Sequence, residues 1–229
     1  MTELFKRCLN AEYKHCGEGG DYAVEVDGNT LYLLFECSDG LEDWRNNFDF
    51  FTAVCKDIAS PKLPYKEMKL RWRVHGGFLR VWKSIQDEVE ADVAQAIADN
   101  PEVAYITVIG YSHGGALATL ATEDMAYLYG DNYEVKGYGF GAPKVLWGIV
   151  PKEVQDRLAG YTTIRNIPDL VTRVPPKWLW YKDAGTVLEI GEKGKYSCIK
   201  AHYSSAYITE LEAYDAAQET LSESVEKNA

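Results

Sequence analysis

The sequence predicts an α/β fold on a central, mostly parallel sheet, from three observations. Strand-like and helix-like segments alternate after about residue 69, the pattern of strands joined by crossover helices. One strand-like segment, Ala104–Gly110 (AYITVIG), is apolar throughout, as expected of a strand covered on both faces. The composition, 46% hydrophobic and 26% charged over 229 residues, is that of a globular chain, which sets aside disorder, collagen and coiled coil. That length allows one to two domains. With no internal repeat and no low-complexity linker, 1–229 reads as a single domain whose polar end, 218–229, frays.

Each element has its own signal. Residues 2–16 read as a polar-apolar helix, with Leu4, Phe5, Cys8 and Leu9 on one side. Ala23–Val26 and Leu31–Glu36 are strand-like runs separated by Asp27-Gly28-Asn29, and the Asp-Gly pair signals a hairpin. Trp44, Phe48, Phe51, Val54 and Cys55 recur at helical spacing within Leu41–Asp57, and Pro61 and Pro64 break whatever element precedes them. Lys69–Val74 alternates as a half-exposed strand does. Gly77–Asp99 carries an apolar stripe from Phe78 to Ile97, the mark of a long amphipathic helix. Gly115–Tyr129 reads as a helix of small residues. Tyr133–Phe140, Tyr161–Asn166 and Thr186–Ile190 are the later strands. The aromatic string Trp178-Leu179-Trp180-Tyr181 could line a cleft, but reads better as core, because large aromatic residues are most often buried.

Charge and cysteine usage limit the partners. The formal net charge is −11, which argues against a nucleic-acid partner and against electrostatic docking on anionic lipid. No apolar run reaches the roughly 18 residues of a membrane helix, so no stable membrane insertion is expected. The five cysteines (Cys8, Cys16, Cys37, Cys55, Cys198) are scattered and form no CxxC pair. They read as reduced thiols rather than a disulfide framework or a zinc site. The N-terminal MTELFKRCLNAEYKHC lacks an apolar core of leader length. A cytoplasmic protein is therefore expected, or a secreted one whose leader is missing from this chain.

The chemistry is concentrated at Gly110-Tyr111-Ser112-His113-Gly114. This G-x-S-x-G comes after the buried strand and before a helix, where a serine on a tight turn is raised above the sheet edge beside a helix N-terminus. Ser112 is the expected nucleophile. A serine hydroxyl needs a base, and the base an orienting acid. Of the four histidines, His15 and His75 precede the serine and His113 adjoins it; His202 alone lies downstream, as the order Ser…Asp/Glu…His requires. Asp169 comes after the strand-like Tyr161–Asn166, where an α/β sheet places its site. Asp183 is the alternative acid.

With these residues in hand, the chain resembles the class 3, fungal-type lipase family of the α/β-hydrolase superfamily. The resemblance spans about Leu31 to Tyr203 and rests on five segments in order: Val74-His75-Gly76-Gly77-Phe78; Gly110 to Ala118; Phe140-Gly141-Ala142-Pro143-Lys144-Val145; Asn166 to Asp169 with Arg173-Val174-Pro175-Pro176; and Ala201-His202-Tyr203. It implies an α/β-hydrolase fold with Ser112 as nucleophile, Asp169 as acid and His202 as base. It also implies an oxyanion hole from the His113 N–H and from Ser38, although Glu36-Cys37 depart from the family's Arg-Gly before that position. Its lid corresponds to roughly 39–47, with Leu41 and Trp44 as the apolar, substrate-facing side. In this context His75 is expected to be a buried, hydrogen-bonded support.

The expected function is hydrolysis of carboxylic esters, acylglycerols or related lipids, through an acyl-enzyme. No metal and no organic cofactor is implied, and transient contact with a lipid interface is compatible. Alternatives are a short-chain esterase or phospholipase A-type hydrolase with the same trio, an acyltransferase or amidase, and a non-catalytic lipid-binding relative, since fold alone does not fix function.

Overall fold

A computed structural model of the chain describes residues 1–16, 20–37 and 72–226. The elements in order are α1 (Thr2–Asn10), β1 (Tyr22–Asp27), β2 (Thr30–Phe35), β3 (Arg73–Val74), α2 (Gly76–Asp99), β4 (Tyr105–Tyr111), α3 (His113–Tyr129), β5 (Glu134–Phe140), β6 (Leu146–Trp147), α4 (Lys152–Arg157), β7 (Tyr161–Asn166), β8 (Tyr181–Lys182), β9 (Thr186–Ile190) and α5 (Ser204–Glu226). Among the described residues, six strands form the main sheet in the order β1-β2-β4-β5-β7-β9. Only the β1–β2 pair is antiparallel; the rest run parallel. The sheet is thus the mostly parallel one that the alternation of strands and helices predicted.

The chemistry of the central strand explains its place. In β4, Ile106, Val108 and Ile109 are fully buried, on both faces, which only a strand with layers on each side can achieve. Below one face lie α2 and α3, with Trp82, Val89, Val93, Leu117, Leu120 and Met125. Against the other lie α1 and α5, with Phe5, Cys8, Tyr207 and Leu211 around Ile109, Tyr111 and Phe140. Burial pushes the Cys8 thiol up to about 11, so it packs as a small apolar group. A second, three-stranded antiparallel sheet, β3-β6-β8, is short and ties the entry of α2 to the segment after the aspartate loop.

Several elements differ from their sequence reading. The first helix ends at Asn10, not at 16, because Ala11 turns extended and Lys14 pairs with Tyr22 of β1 through N–H···O contacts of 2.8 and 3.3 Å. The competing strand partner takes the backbone groups that a longer helix would use. Of Lys69–Val74, the described part is strand only at Arg73–Val74. The helix read as Gly115–Tyr129 begins at His113, directly after the serine. The last helix is described from Ser204 to Glu226. Trp178 and Trp180 are exposed rather than core, while Tyr181 is buried. A 3₁₀ turn at Lys177–Leu179 and a left-handed Trp180 (φ 69°) turn the two indoles outward. No helix of the described residues is long and apolar enough to cross a membrane. The apolar stripe expected within 41–57 lies outside the described residues.

Candidate active site

The turn after β4 places Ser112 at the carboxyl end of the sheet. Phe35 and Gly110 are in register on β2 and β4, and Tyr111 faces Phe140 on β5. The Ser112 N–H then donates to the Phe140 carbonyl at 2.9 Å. The serine backbone sits at φ 55°, ψ −119°, a conformation that a side chain makes costly and that functional turns retain. The flanking glycines are required by contact. A Cβ on Gly110 would lie 2.1 Å from the Gly114 carbonyl oxygen, and one on Gly114 would lie 2.4 Å from the carbonyl oxygens of Phe35 and Glu36. Strand and helix cross too closely there for any side chain.

The other two predicted residues come from farther along the chain. Asp169 lies just past β7, and His202 lies in a 3₁₀ turn just before α5. The structure brings them together: Ser112 Oγ is 2.8 Å from His202 Nε2, and His202 Nδ1 is 2.8 Å from Asp169 Oδ2. All three side chains are buried. A carboxylate taken out of water must be matched by donors, and Asp169 has them. Its Oδ2 also accepts from the Tyr207 hydroxyl at 2.8 Å, and its Oδ1 accepts from the Val171 N–H at 2.8 Å. Burial, and then the Asp169 charge, hold the Tyr207 phenol well above its ordinary value, so it stays a donor.

The histidine loop is fixed from several sides. Asn166 Nδ2 donates to the Ala201 carbonyl at 2.9 Å. The Tyr111 hydroxyl donates to the His202 carbonyl, and the two rings stack with centroids 5.4 Å apart. The imidazole therefore has its plane set by a ring and its Nδ1 by a carboxylate, which leaves Nε2 aimed at the serine. In such a pair the carboxylate sets the tautomer with Nδ1 protonated and Nε2 free to accept.

The remaining predicted residues lie around this trio or away from it. His113 opens α3, and as the first helical residue its N–H has no acceptor within the helix; the positive end of the helix dipole lies there too. Its side chain packs on Phe78, with centroids 5.5 Å apart, and burial lowers its pKa, favouring the neutral ring. Ser38, Leu41 and Trp44, the expected second oxyanion donor and lid face, lie outside the described residues. His75 is buried and caps α2, its Nδ1 accepting from the Phe78 N–H at 3.5 Å. Asp183, the alternative acid, is paired with Arg165 at 2.6 Å and Lys177 at 3.1 Å. His15 lies 2.7 Å from Asp21, and these two with Glu36 could each offer a ligand atom to a cation, at mutual distances within 4.8 Å.

Two groups that hold the site were not singled out from the sequence. Tyr207 sits in the first turn of α5, five residues beyond the histidine, and nothing in its spacing separates it from Tyr203. The Val171 N–H is a backbone donor with no sequence signature. Chemically, the arrangement can deprotonate Ser112 as it attacks and hold the imidazolium formed against a fixed carboxylate.

Known proteins share both this sequence pattern and this fold. A model of the family described as Lipase (class 3) matches residues 32–178. Among curated proteins, the secreted mono- and diacylglycerol lipase 1 of Fusarium solani is 29% identical over 166 residues, covering 72% of this chain and 45% of that protein. Phospholipase A1-II 1 of Oryza sativa subsp. indica is 33% identical over 191 residues, covering 75% of this chain and 45% of that protein. The chain thus spans about half the length of these curated relatives. The cytoplasmic expectation finds no support among them, since the Fusarium protein is named as secreted. Among solved structures, the Rhizomucor miehei lipase propeptide complex superposes with a TM-score of 0.61 at 21% identity, covering 81% of this chain and 57% of that one. That likeness shows a shared fold, the α/β-hydrolase fold expected above. With the family match spanning more than half of its residues, the chain belongs to the class 3 lipase family.

Proposed function

We propose that the chain is a serine carboxylic ester hydrolase of lipase type, cleaving acylglycerols or related lipid esters. The observation that carries this reading is the hydrogen-bonded line from Ser112 through His202 to Asp169, with 2.8 Å at each step. Ser112 Oγ attacks the acyl carbon while its proton passes to His202 Nε2, and Asp169 holds the resulting imidazolium. The tetrahedral oxyanion is held by the His113 N–H, with Ser38 as the second donor that the family resemblance implies. Each such donor contributes about 3 kcal/mol in enzymes of this kind. When the intermediate collapses, the ester C–O bond breaks and the Nε2 proton goes to the departing alcohol oxygen. Water then attacks the acyl-serine with His202 as base, releasing the carboxylic acid and restoring the serine. The same reading treats 1–229 as one domain. In support, α1 and α5 are joined through the Thr2 N–H donating to Asp215 at 2.8 Å and a Lys6–Glu212 ion pair at 3.3 Å.

The experiment is labelling by a fluorophosphonate probe together with hydrolysis of p-nitrophenyl esters across acyl chain lengths. Labelling and turnover that vanish in Ser112→Ala support the reading. A folded protein that neither labels nor turns over favours the non-catalytic lipid binder. A rate that jumps once long-chain substrate exceeds its solubility marks a lipase, and a peak on short soluble esters marks an esterase. A phospholipase A-type activity is the second reading, favoured by the 33% identity to the rice phospholipase A1. Relative rates on diacylglycerol and phosphatidylcholine separate the two.

A further inference from the structure

The small antiparallel sheet carries an aromatic surface that the proposed chemistry does not use. Ile149, Trp178 and Trp180 are 83%, 77% and 65% exposed. Trp147, half-buried on β6, stacks under Trp180 with centroids 6.4 Å apart and planes 27° from parallel. It is held by its own indole N–H, which donates to the Leu179 carbonyl at 2.9 Å, and by the Arg73 guanidinium 4.8 Å above its ring. The Gly148 N–H bonds the Trp180 carbonyl at 3.0 Å. The indoles are thus presented on a braced edge, around an open depression of about 530 Å³ lined in part by Ile149, Trp180 and Lys182.

The candidate site is linked by packed rings to the strand that carries this surface. Beneath it, buried Tyr181 faces the His75 ring at 6.0 Å, His75 faces Phe78 at 4.6 Å, and Phe78 faces His113 at 5.5 Å. A line of packed rings therefore runs from Tyr181, the residue after Trp180, to the residue after Ser112.

Three features select the occupant. Indole is amphipathic and concentrates where apolar and aqueous phases meet, whereas a soluble chain gains nothing by leaving two in water. Among the described residues here, Arg73, Lys177 and Lys182 are exposed cations, and the carboxylate lining the depression, Asp183, is shared by buried Arg165 at 2.6 Å and Lys177 at 3.1 Å. The described side chains of the edge therefore carry a positive excess, from Arg73 and Lys182, on a chain of net charge −11. Lysine beside tryptophan suits a lipid surface, where the alkyl stem lies along the apolar phase and the ammonium reaches the headgroups. A protein partner selects against lysine at such a patch.

We propose that Ile149, Trp178 and Trp180, flanked by Lys177 and Lys182, dock the protein on an anionic phospholipid surface. The purpose of such docking rests on the reading of the chain as a lipid-ester hydrolase; the docking itself is tested without hydrolysis.

The test is co-flotation with phosphatidylcholine vesicles containing one quarter phosphatidylglycerol, using the 229-residue chain with Ser112→Ala so that no lipid is consumed. The parent is expected to float with the vesicles. Trp178→Ser combined with Ile149→Ser should weaken partitioning at least tenfold. Lys182→Glu should weaken it at low salt, by a margin that shrinks as salt rises. The same substitutions in the Ser112 background should leave turnover of a soluble short-chain ester unchanged, which also shows that they fold. No flotation of the parent, or flotation that the aromatic pair does not alter, overturns the proposal. So does a concentration-dependent dimer in sedimentation that the aromatic pair abolishes, which would make a second copy the occupant. Vesicle binding by a protein inert on every ester would instead sink the hydrolase reading and leave the docking surface standing.

Discussion

Tyr207 donates its phenolic hydrogen to Asp169 Oδ2, the oxygen that also faces His202 Nδ1, each contact being 2.8 Å. The same hydroxyl accepts from the Asn166 N–H at 3.1 Å. Tyr207→Phe therefore strips one donor from a buried carboxylate and one acceptor from a buried amide. The expected loss is about 1–3 kcal/mol of stability in urea melts. Ester turnover should fall about tenfold or more as the aspartate loses its orientation, with fluorophosphonate labelling slowed in parallel. Unchanged rates would mean that the Val171 N–H alone fixes Asp169.

Ser112 carries a side chain at φ 55°, where backbone strain of about 1–3 kcal/mol is typical. Ser112→Gly relieves that strain and Ser112→Ala does not. Both variants should be inactive, and the glycine variant should be the more stable of the two by about 1 kcal/mol. Thermal melts of the two side by side read the difference. Equal stability would mean that the surrounding packing accommodates the turn without strain.

Gly114 has no room for a methyl group, because the carbonyls of Phe35 and Glu36 would lie 2.4 Å from it. Gly114→Ala must push α3 away from β2, at about 3 kcal/mol or more. The movement would also displace the His113 N–H. Activity should fall further than the folded fraction, as measured by turnover per folded molecule.

Lys144 is buried after β5, with its ammonium 2.9 Å from the Thr172 carbonyl. Burial pulls its pKa from 10.5 down to about 8, aided by Arg165, Lys177 and Arg173 and opposed by Asp183. Below pH 8 both native and unfolded chains carry the proton, and the full cost of burying a charge is present. Between pH 8 and 10.5 the unfolded chain keeps the proton that the native one has lost, so stability rises with pH across that window. Lys144→Met lacks this contribution. The stability of the wild type relative to Lys144→Met should rise between pH 8 and 10 in urea melts, and a flat difference would show that the lysine keeps its ordinary pKa in the fold.

How much was legible in the sequence depends on how local each cause is. The turn at Ser112 could be read because its demands sit within five residues: two glycines for a close crossing, an apolar strand before and a helix after. His202 could be reached by elimination because the chain has only four histidines. The strands β1, β2, β4, β7 and β9 were readable because alternation or continuous apolarity reflects whether one or both faces are covered.

Position relative to distant segments was decided only by the folded chain. The first helix stops at Asn10 because Lys14 finds Tyr22 across a gap that periodicity does not register. The indoles of Trp178 and Trp180 face outward because a short turn and a left-handed residue aim them, while their composition alone resembles core. The donors around Asp169 come from a backbone amide two residues on and a phenol on the last helix. A sequence encodes the turns, periods and residue chemistries that act over a few neighbours. Which buried charge meets which donor is settled only when segments tens of residues apart share one packed volume and each polar group must find a partner there.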